Sequence, residues 1–168
     1  AEVGDILKVP VHSDKFGRIA TQNAKNVILQ KIREEERKVL FDQYHGNEKE
    51  VVTGIVQRVV GHNVSVNLGK ADAILAENEQ VKGETFKPTE RIKVYILEVK
   101  DTPKGPRILV SRTHPGLVKR LFESEVAEVK DGTVEIKSIA REAGSRTKLA
   151  VWSNDPDVDP VGACVGVN

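Results

Sequence analysis

The hydrophobic residues of the chain first recur at helical spacing, between Thr21 and Tyr44, and Gly46 follows as a stop. The apolar positions are Ala24, Val27, Ile28, Ile32, Val39 and Leu40. This spacing predicts one helix of about 24 residues, roughly 36 Å long. The middle of the helix, KIREEERK, is nearly all charged, which is typical of a helix that bridges two modules. Before it, Asp5 to Val11 is an edge strand or a loop, because Pro10 cannot donate to a sheet.

After Glu50 the pattern changes to the alternation of β-strands. The alternating segments are EVVTGIVQRVVG, HNVSVNLG, ADAILA, RIKVYILEVK and PRILVSR. Short turns separate them, apart from one longer connection at residues 78–89. Such a series of short strands predicts a small closed barrel of the OB type, in which few strand edges are exposed.

Beyond Thr113 the helical period returns after Pro115. Two strand candidates follow, Thr133 to Arg141 and Lys148 to Ser153. The last segment, PVGACVGVN, suits the start of a helix and a glycine turn. This part therefore predicts a piece of a second α+β module.

The amino-acid composition limits the kinds of function that the chain could have. The chain has 168 residues with 30% charged and 4% aromatic residues and a net charge of +1, so any nucleic-acid surface must be local. Cys164 is the only cysteine and cannot form an intramolecular disulfide. No apolar run is long enough for a bilayer and no signal peptide is evident, so we expect a cytoplasmic protein without a membrane partner. The absence of Met indicates a fragment.

Basic residues concentrate on the last two barrel strands and their hairpin. They are Arg91, Lys93, Lys100, Lys104, Arg107 and Arg112. Alternation places Arg91, Lys93 and Tyr95 on one outward face, where cations could contact phosphates. The alternative is ordinary solvated charge, which is common on soluble proteins.

Base stacking by the barrel should be limited, because its aromatic residues are only Phe86 and Tyr95. Binding would then depend on phosphate contacts and weaken quickly with salt. His62, in the first tight turn, could stack on a base or simply complete the turn.

Catalytic and metal-binding patterns are weak. The run Asp155, Asp157, Asp159 starts like a calcium loop, but Pro160 and Gly166 occupy the sixth and twelfth positions, which favours a solvated turn. The histidines are scattered, and neither a phosphate-binding loop nor a G-x-S-x-G elbow occurs. We therefore expect no enzyme, no cofactor and no metal.

Three stretches together resemble the NusA family of bacterial transcription elongation, termination and antitermination factors. GRIATQNAKNVILQKIREEERKVLFDQYHGNEKEVVTGIVQRV is similar to the join between that family's polymerase-binding N-terminal domain and its S1 domain. RIKVYILEVKDTPKGPRILVSRTHPGLVKRLFESEVAEV is similar to the end of the S1 barrel and the helix that opens the first KH domain. VEIKSIAREAGSRTKLAVWSNDPDVDPVGACVG is similar to the first KH sheet.

The resemblance implies an α+β fold in three parts. Residues 1–50 would be the end of the N-terminal domain and a long linker helix, residues 51–112 a five-stranded antiparallel S1 barrel of OB type, and residues 113–168 the first part of a type II KH domain. Gly166, Val167 and Asn168 match the first three positions of the RNA-gripping G-x-x-G loop. S1 domains generally carry aromatic residues where this chain has Gly61 to Val64 and Val66, so strong stacking by the barrel is not expected.

The implied function is to link RNA polymerase to nascent single-stranded RNA and, with other antitermination factors, to modulate pausing, termination and antitermination. The RNA-binding residues would be Arg91, Lys93, Arg107, Arg112, His62, Gly166, Val167 and Asn168. A first alternative is a stand-alone S1-type RNA-binding module of a ribosome-associated or RNA-degrading protein. A second is a nuclease or other metal-dependent enzyme, which would need the aspartate turn to hold divalent cations.

Overall fold

The computed structural model of the chain describes residues 3–10 and 17–166, and it divides into two compact units, Ala1–Lys38 and Val39–Asn168. The helices are α1 (Arg18–His45), α2 (Pro115–Glu125), α3 (Ala127–Lys130) and α4 (Pro160–Val165), and a short 3-10 turn occupies Glu77–Glu79. The strands are β1 (Val51–Val60), β2 (Asn63–Asn67), β3 (Asp72–Leu75), β4 (Arg91–Thr102), β5 (Gly105–Ser111), β6 (Val134–Glu142) and β7 (Arg146–Ser153).

The predicted helices and strands are therefore present, α1 being longer than expected at both ends. Residues 5–10 have no regular structure, which makes this segment a loop rather than an edge strand, while Val11 lies outside the described residues. No helix in the described part of the chain has the length and apolar character needed to cross a bilayer.

The first five strands form a closed barrel in the order β1-β2-β3-β5-β4, and β4 pairs back with β1. One detail of the prediction was wrong, because the barrel is not wholly antiparallel: β3 and β5 run parallel, with Ala73 opposite Ile108. The reason is that the barrel has an odd number of strands. Strand direction must reverse at every antiparallel pairing, so a closed ring with an odd number of strands needs at least one parallel pair.

The barrel core is built from the inward-facing residues of all five strands. The most deeply buried include Val66, Leu75, Val94 and Ile108. Gly54 lies in β1, where a Cβ atom would be 2.3 Å from Cγ1 of Val66 and 2.9 Å from Cδ2 of Leu68. A glycine is needed here because the backbone of β1 passes directly over core side chains.

The last turn of α1 is part of the same core. Tyr44 is buried, and its hydroxyl donates to the carbonyl of Leu68 and accepts from the amide of Lys70, each at 3.2 Å. Leu40 and Phe41 pack beside it against the barrel core. These contacts fix the end of α1 on the β2–β3 turn.

The remainder of the second unit is a two-stranded antiparallel sheet of β6 and β7, packed with short helices. Ile136 pairs with Val151 and Ser138 with Ala150, so Lys137 lies in a bulge. Val134, Val129 and Leu117 are the buried residues of this part. The mixed α+β fold, in which a five-stranded barrel precedes a two-stranded sheet with short helices, is thus as the sequence indicated.

We expect Gly54→Ala to lower the free energy of unfolding by about 1–3 kcal/mol, because the new methyl group would overlap Val66. Urea denaturation followed by circular dichroism measures the change. Gly46→Ala is the matched control, since a Cβ atom there would meet only carbonyl oxygens at 3.5 Å or more, and it should stay within about 0.5 kcal/mol of the parent. Equal stability of the two variants would contradict the close approach at Gly54.

Candidate nucleic-acid interface

Arg91 and Lys93 project from β4 next to β1, as the alternation indicated. Ile92 and Val94, which alternate with them along the strand, are buried, while both cations are exposed. Arg91 is opposite Ile55, and Lys93 is opposite Thr53. Arg91 has no ion-pair partner among the described residues, which leaves its guanidinium available to a phosphate.

Lys93 borders an open groove of about 550 Å³ between β1, β4 and α2. Its ammonium lies 3.7 Å from the carboxylate of Glu125, in a pair whose two side chains are largely exposed. Exposed pairs of this kind are weak, so a phosphate could replace Glu125. The neighbouring Arg120 is more firmly held, because it pairs with Glu123 at 2.8 Å and with Glu50 at 3.3 Å.

Tyr95 lies on the same side of β4 but is only 7% exposed. Its ring is stacked on His114, with 4.5 Å between ring centroids and 6° between planes. A Cβ atom on Gly116 would be 2.6 Å from the Tyr95 ring, so the start of α2 covers it closely. Phe86 packs against the barrel core. Neither of the barrel's aromatic candidates thus presents a fully exposed ring, Phe86 being partly buried, and the expectation that Tyr95 faces solvent was wrong.

Arg107 lies apart from the other basic residues. It is on β5 opposite Lys100, which is seven residues along β4 from Lys93, or about 23 Å in an extended strand. Arg107 instead lines a different open groove with Lys104, Ser65 and Ile74. The structure therefore does not bring the predicted cations together on one face.

Arg112 is held by the protein's own carboxylate. Its guanidinium contacts Glu84 through Nε at 2.7 Å and Nη2 at 2.8 Å, and Nη1 donates to the carbonyl of Lys93. The side chain is 21% exposed. The hydrogen bond from Arg112 lowers the pKa of Glu84, and the same bond raises the pKa of Arg112. Such a two-point pair fastens the β3–β4 connection to the barrel and leaves little of Arg112 for RNA.

His62 is 82% exposed in the β1–β2 turn, and its Nδ1 lies 3.8 Å from Glu77. The side chain of Gln80 donates to its carbonyl at 2.7 Å. Gly166 ends α4 with a φ of 76°, which suits glycine, and its amide donates to Gly162. Val167 and Asn168 lie outside the described residues.

The aspartate run is used for turns. A carboxylate oxygen of Asp155 accepts from the amide of Asp157 at 2.9 Å, and one of Asp159 accepts from the amide of Val161 at 3.1 Å, which caps α4. Across residues 3–10 and 17–166, no group of three or more His, Cys, Asp or Glu side chains is placed to hold a metal ion. Burial raises the pKa of the Cys164 thiol, which disfavours a reactive thiolate.

The sequence did not reveal how firmly the barrel is joined to the helices and hairpin that follow. The buried hydroxyl of Ser111 accepts from the amides of Thr113 and His114, both at 3.1 Å. The imidazole of His114 then caps α2 by accepting from the amide of Gly116 at 2.9 Å.

A second contact joins the two parts at the β6–β7 turn. Gly144 adopts a φ of 81° there, and a Cβ atom on it would be 2.9 Å from Val81 and 3.2 Å from the carbonyl of Lys82. The only signal in the sequence that could have indicated this contact is the glycine between the two strand candidates. The two parts of the second unit are thus packed against each other.

Comparison with known proteins identifies three consecutive domain models along the chain. Residues 1–38 match the NusA N-terminal domain, residues 46–111 the S1 RNA binding domain and residues 112–168 the NusA-like first KH domain. Among curated relatives, the Bacillus subtilis transcription termination/antitermination protein NusA is 56% identical over 98% of this chain. The chain belongs to the NusA family.

Identity remains high in more distant members of the NusA family. The protein of the same name from Halalkalibacterium halodurans is 52% identical, and that from Thermus thermophilus is 43% identical, each over 98% of the chain. The chain spans less than half the length of these relatives, 44% of the Bacillus subtilis protein and 43% of the other two. The three domain matches and these identities confirm the resemblance to the NusA family that the sequence indicated.

Replacing Glu84 by Gln should lower stability by about 0.5–1 kcal/mol at pH 7, because the ionic part of its contact with Arg112 is lost. The pKa of Glu84 is below its ordinary value of 4.5 in the folded state, so its contribution is complete above that value and disappears as pH falls through the lower, folded pKa. Urea denaturation at several pH values measures this.

The difference between parent and Glu84→Gln should therefore vanish in acid. Glu142→Gln, which removes an exposed pair with Arg146, is the control and should change little at any pH. A constant difference between the parent and Glu84→Gln from pH 3 to pH 7 would show that the charge of Glu84 is not what stabilises the connection.

Proposed function

We propose that this chain is the RNA-binding part of a transcription termination/antitermination factor that links RNA polymerase to nascent RNA and modulates pausing, termination and antitermination. The observation that carries the proposal is the order of the three domain matches, in which an S1 RNA binding domain and a KH domain follow an N-terminal domain of the NusA type. RNA polymerase, the nascent transcript and other antitermination factors are the proposed partners. We place its action in the cytoplasm.

Within this proposal the barrel occupies residues 51–112 and the KH part residues 113–168, with residues 1–50 leading to the polymerase. The exposed Arg91 and Lys93 form the main phosphate contact of the barrel, and Arg107 and His62 form separate, weaker contacts. Gly166, Val167 and Asn168 belong to the backbone grip of the KH loop. Arg112 supports binding indirectly, through Glu84 and the carbonyl of Lys93.

Weak contacts are sufficient for this function because they are tethered. When one domain holds the polymerase, RNA leaving the enzyme meets the S1 and KH surfaces at an effective concentration that reaches about the millimolar range for a short linker. Modules with micromolar or weaker affinity are then occupied. We infer that the chain acts by holding RNA and performs no catalysis, in keeping with the turn-forming use of Asp155 and Asp159.

Arg91→Ala should weaken binding to single-stranded RNA about three- to tenfold and reduce the slope of log affinity against log salt by about one, because one phosphate contact is lost. Fluorescence anisotropy of a labelled RNA over a salt series measures both quantities. Stability should be unchanged, since Arg91 is exposed. Arg33→Ala, which changes another exposed arginine, in α1, is the matched control.

The same measurement separates direct from indirect roles. Arg112→Ala should reduce both RNA affinity and stability, whereas Arg91→Ala should reduce affinity alone. If Arg91→Ala and Arg33→Ala bind RNA equally, the phosphate contact is not on this face of the barrel. If the parent chain binds no RNA at low salt, the proposed function itself is wrong for this part of the protein.

A further inference from the structure

The single tryptophan of the chain, Trp152, is 59% exposed on β7. A large aromatic ring in this position is unusual, because tryptophan is highly buried on average. Glu135 lies directly opposite it on β6, and the next pair along the outer face is small: Ala150 lies two residues along β7, opposite Ser138. The ring therefore has small, exposed residues on one side and a carboxylate opposite it.

The hairpin has two different faces. Val151, Leu149 and Ile136 are partly buried on the inner face, toward the helices. The outer face alternates with them and carries Glu135, Ser138, Ala140, Glu142, Arg146, Lys148, Ala150 and Trp152. Trp152 is thus directed away from the hydrophobic packing of this part, and its exposure is a property of the outer face.

The charges of the outer face leave one cation available. Arg146 pairs with Glu142 at 3.1 Å, and Lys137, from the bulge, pairs with Glu135. Lys148 is exposed and has no ion-pair partner among the residues that the structure describes. It is four positions before Trp152, about 13 Å along the strand. Because Glu135 and Glu142 are each paired with a nearby cation, the outer face presents an aromatic ring and one positive charge that is unpaired among the described residues.

This pairing of an aromatic ring with a nearby cation is what sequence-tolerant recognition of single strands requires, since bases stack on the ring and phosphates contact the charge. The barrel offers cations but no fully exposed ring, because Tyr95 is covered by His114 and Phe86 is partly buried against the core. The ring that the barrel lacks is present on the β6–β7 hairpin, which is packed against that barrel at Gly144.

We propose that the outer face of the β6–β7 hairpin is a contact site for single-stranded RNA, in which Trp152 stacks on a base and Lys148 contacts a phosphate. The proposal rests on the proposed RNA-binding function and adds a site to it. It is separate from the G-x-x-G loop, which begins at Gly166 after α4. It assigns base stacking to the hairpin and phosphate contacts to both the hairpin and the barrel.

Because the chain has one tryptophan, its intrinsic fluorescence reports on this site directly. Titration of the full chain with an oligoadenylate of about ten nucleotides should quench the emission saturably, at the concentrations at which anisotropy of the same labelled oligonucleotide shows binding. An RNA duplex of equal length, whose bases are already stacked, should bind without comparable quenching.

Substitutions then test stacking against simple apolar contact. Trp152→Ala should weaken binding about fivefold or more, and Trp152→Phe should retain most of the affinity, because a ring remains. Trp152→Leu keeps apolar volume without a ring and should behave like Trp152→Ala. Lys148→Ala should reduce the salt slope by about one, with Lys25→Ala, an exposed lysine of α1, as the control. All variants should unfold at the parent temperature, since both side chains are exposed.

Each possible outcome either supports or excludes the RNA site on the hairpin. If RNA binds, as seen by anisotropy, while Trp152 emission and the affinity of Trp152→Ala are unchanged, the hairpin site is wrong and the proposed function remains. If Trp152→Leu binds as tightly as the parent, the face makes an apolar contact of another kind and stacking is excluded. If the chain binds no RNA by either measurement, the site and the proposed function fail together.

Discussion

Closure of the five-stranded ring is the constraint on which the rest of the second unit depends. In a closed barrel every strand is paired on both sides, so the register of each strand is fixed by two neighbours and cannot slip. The outward direction of Arg91 and Lys93 follows from this closure, because Ile92 and Val94 must face inward. The barrel core thereby orients the charges that would meet a phosphate backbone.

The packed join after β5 extends this order to the next part of the chain. Ser111, His114 and Gly116 lead from the last strand into α2 through consecutive hydrogen bonds, and Tyr95 stacks on the imidazole. The aromatic ring that could have served as a base platform is instead used to hold two modules together. The ring of Tyr95 can either pack between the two modules or be exposed for base stacking, and in this chain it packs between them.

Sequence periodicity was sufficient to predict the long helix, the five barrel strands, and the helix and two strands that follow them, because hydrophobic alternation and turn residues are local signals. The outward direction of Arg91 was predictable for the same reason. The assignment of the last part to a KH domain came from the family resemblance instead. Contacts between residues far apart in the sequence could not be predicted from periodicity. Neither the pairing of Arg112 with Glu84 nor the cover over Tyr95 leaves a periodic signal, since each depends on where a distant segment is placed. Trp152 was missed because strand alternation gives the face of a residue but not whether that face is covered.

Tyr44 has a consequence for where the barrel begins. Its ring fills the core and its hydroxyl is bonded at both the carbonyl of Leu68 and the amide of Lys70, although it precedes the first strand by several residues. The folding unit is therefore longer than its sheet. A segment that started at β1 would contain every barrel strand and still lack the side chain that fills the space under the β2–β3 turn. In evolutionary terms, the barrel could be exchanged between proteins intact only together with the last turn of the helix before it.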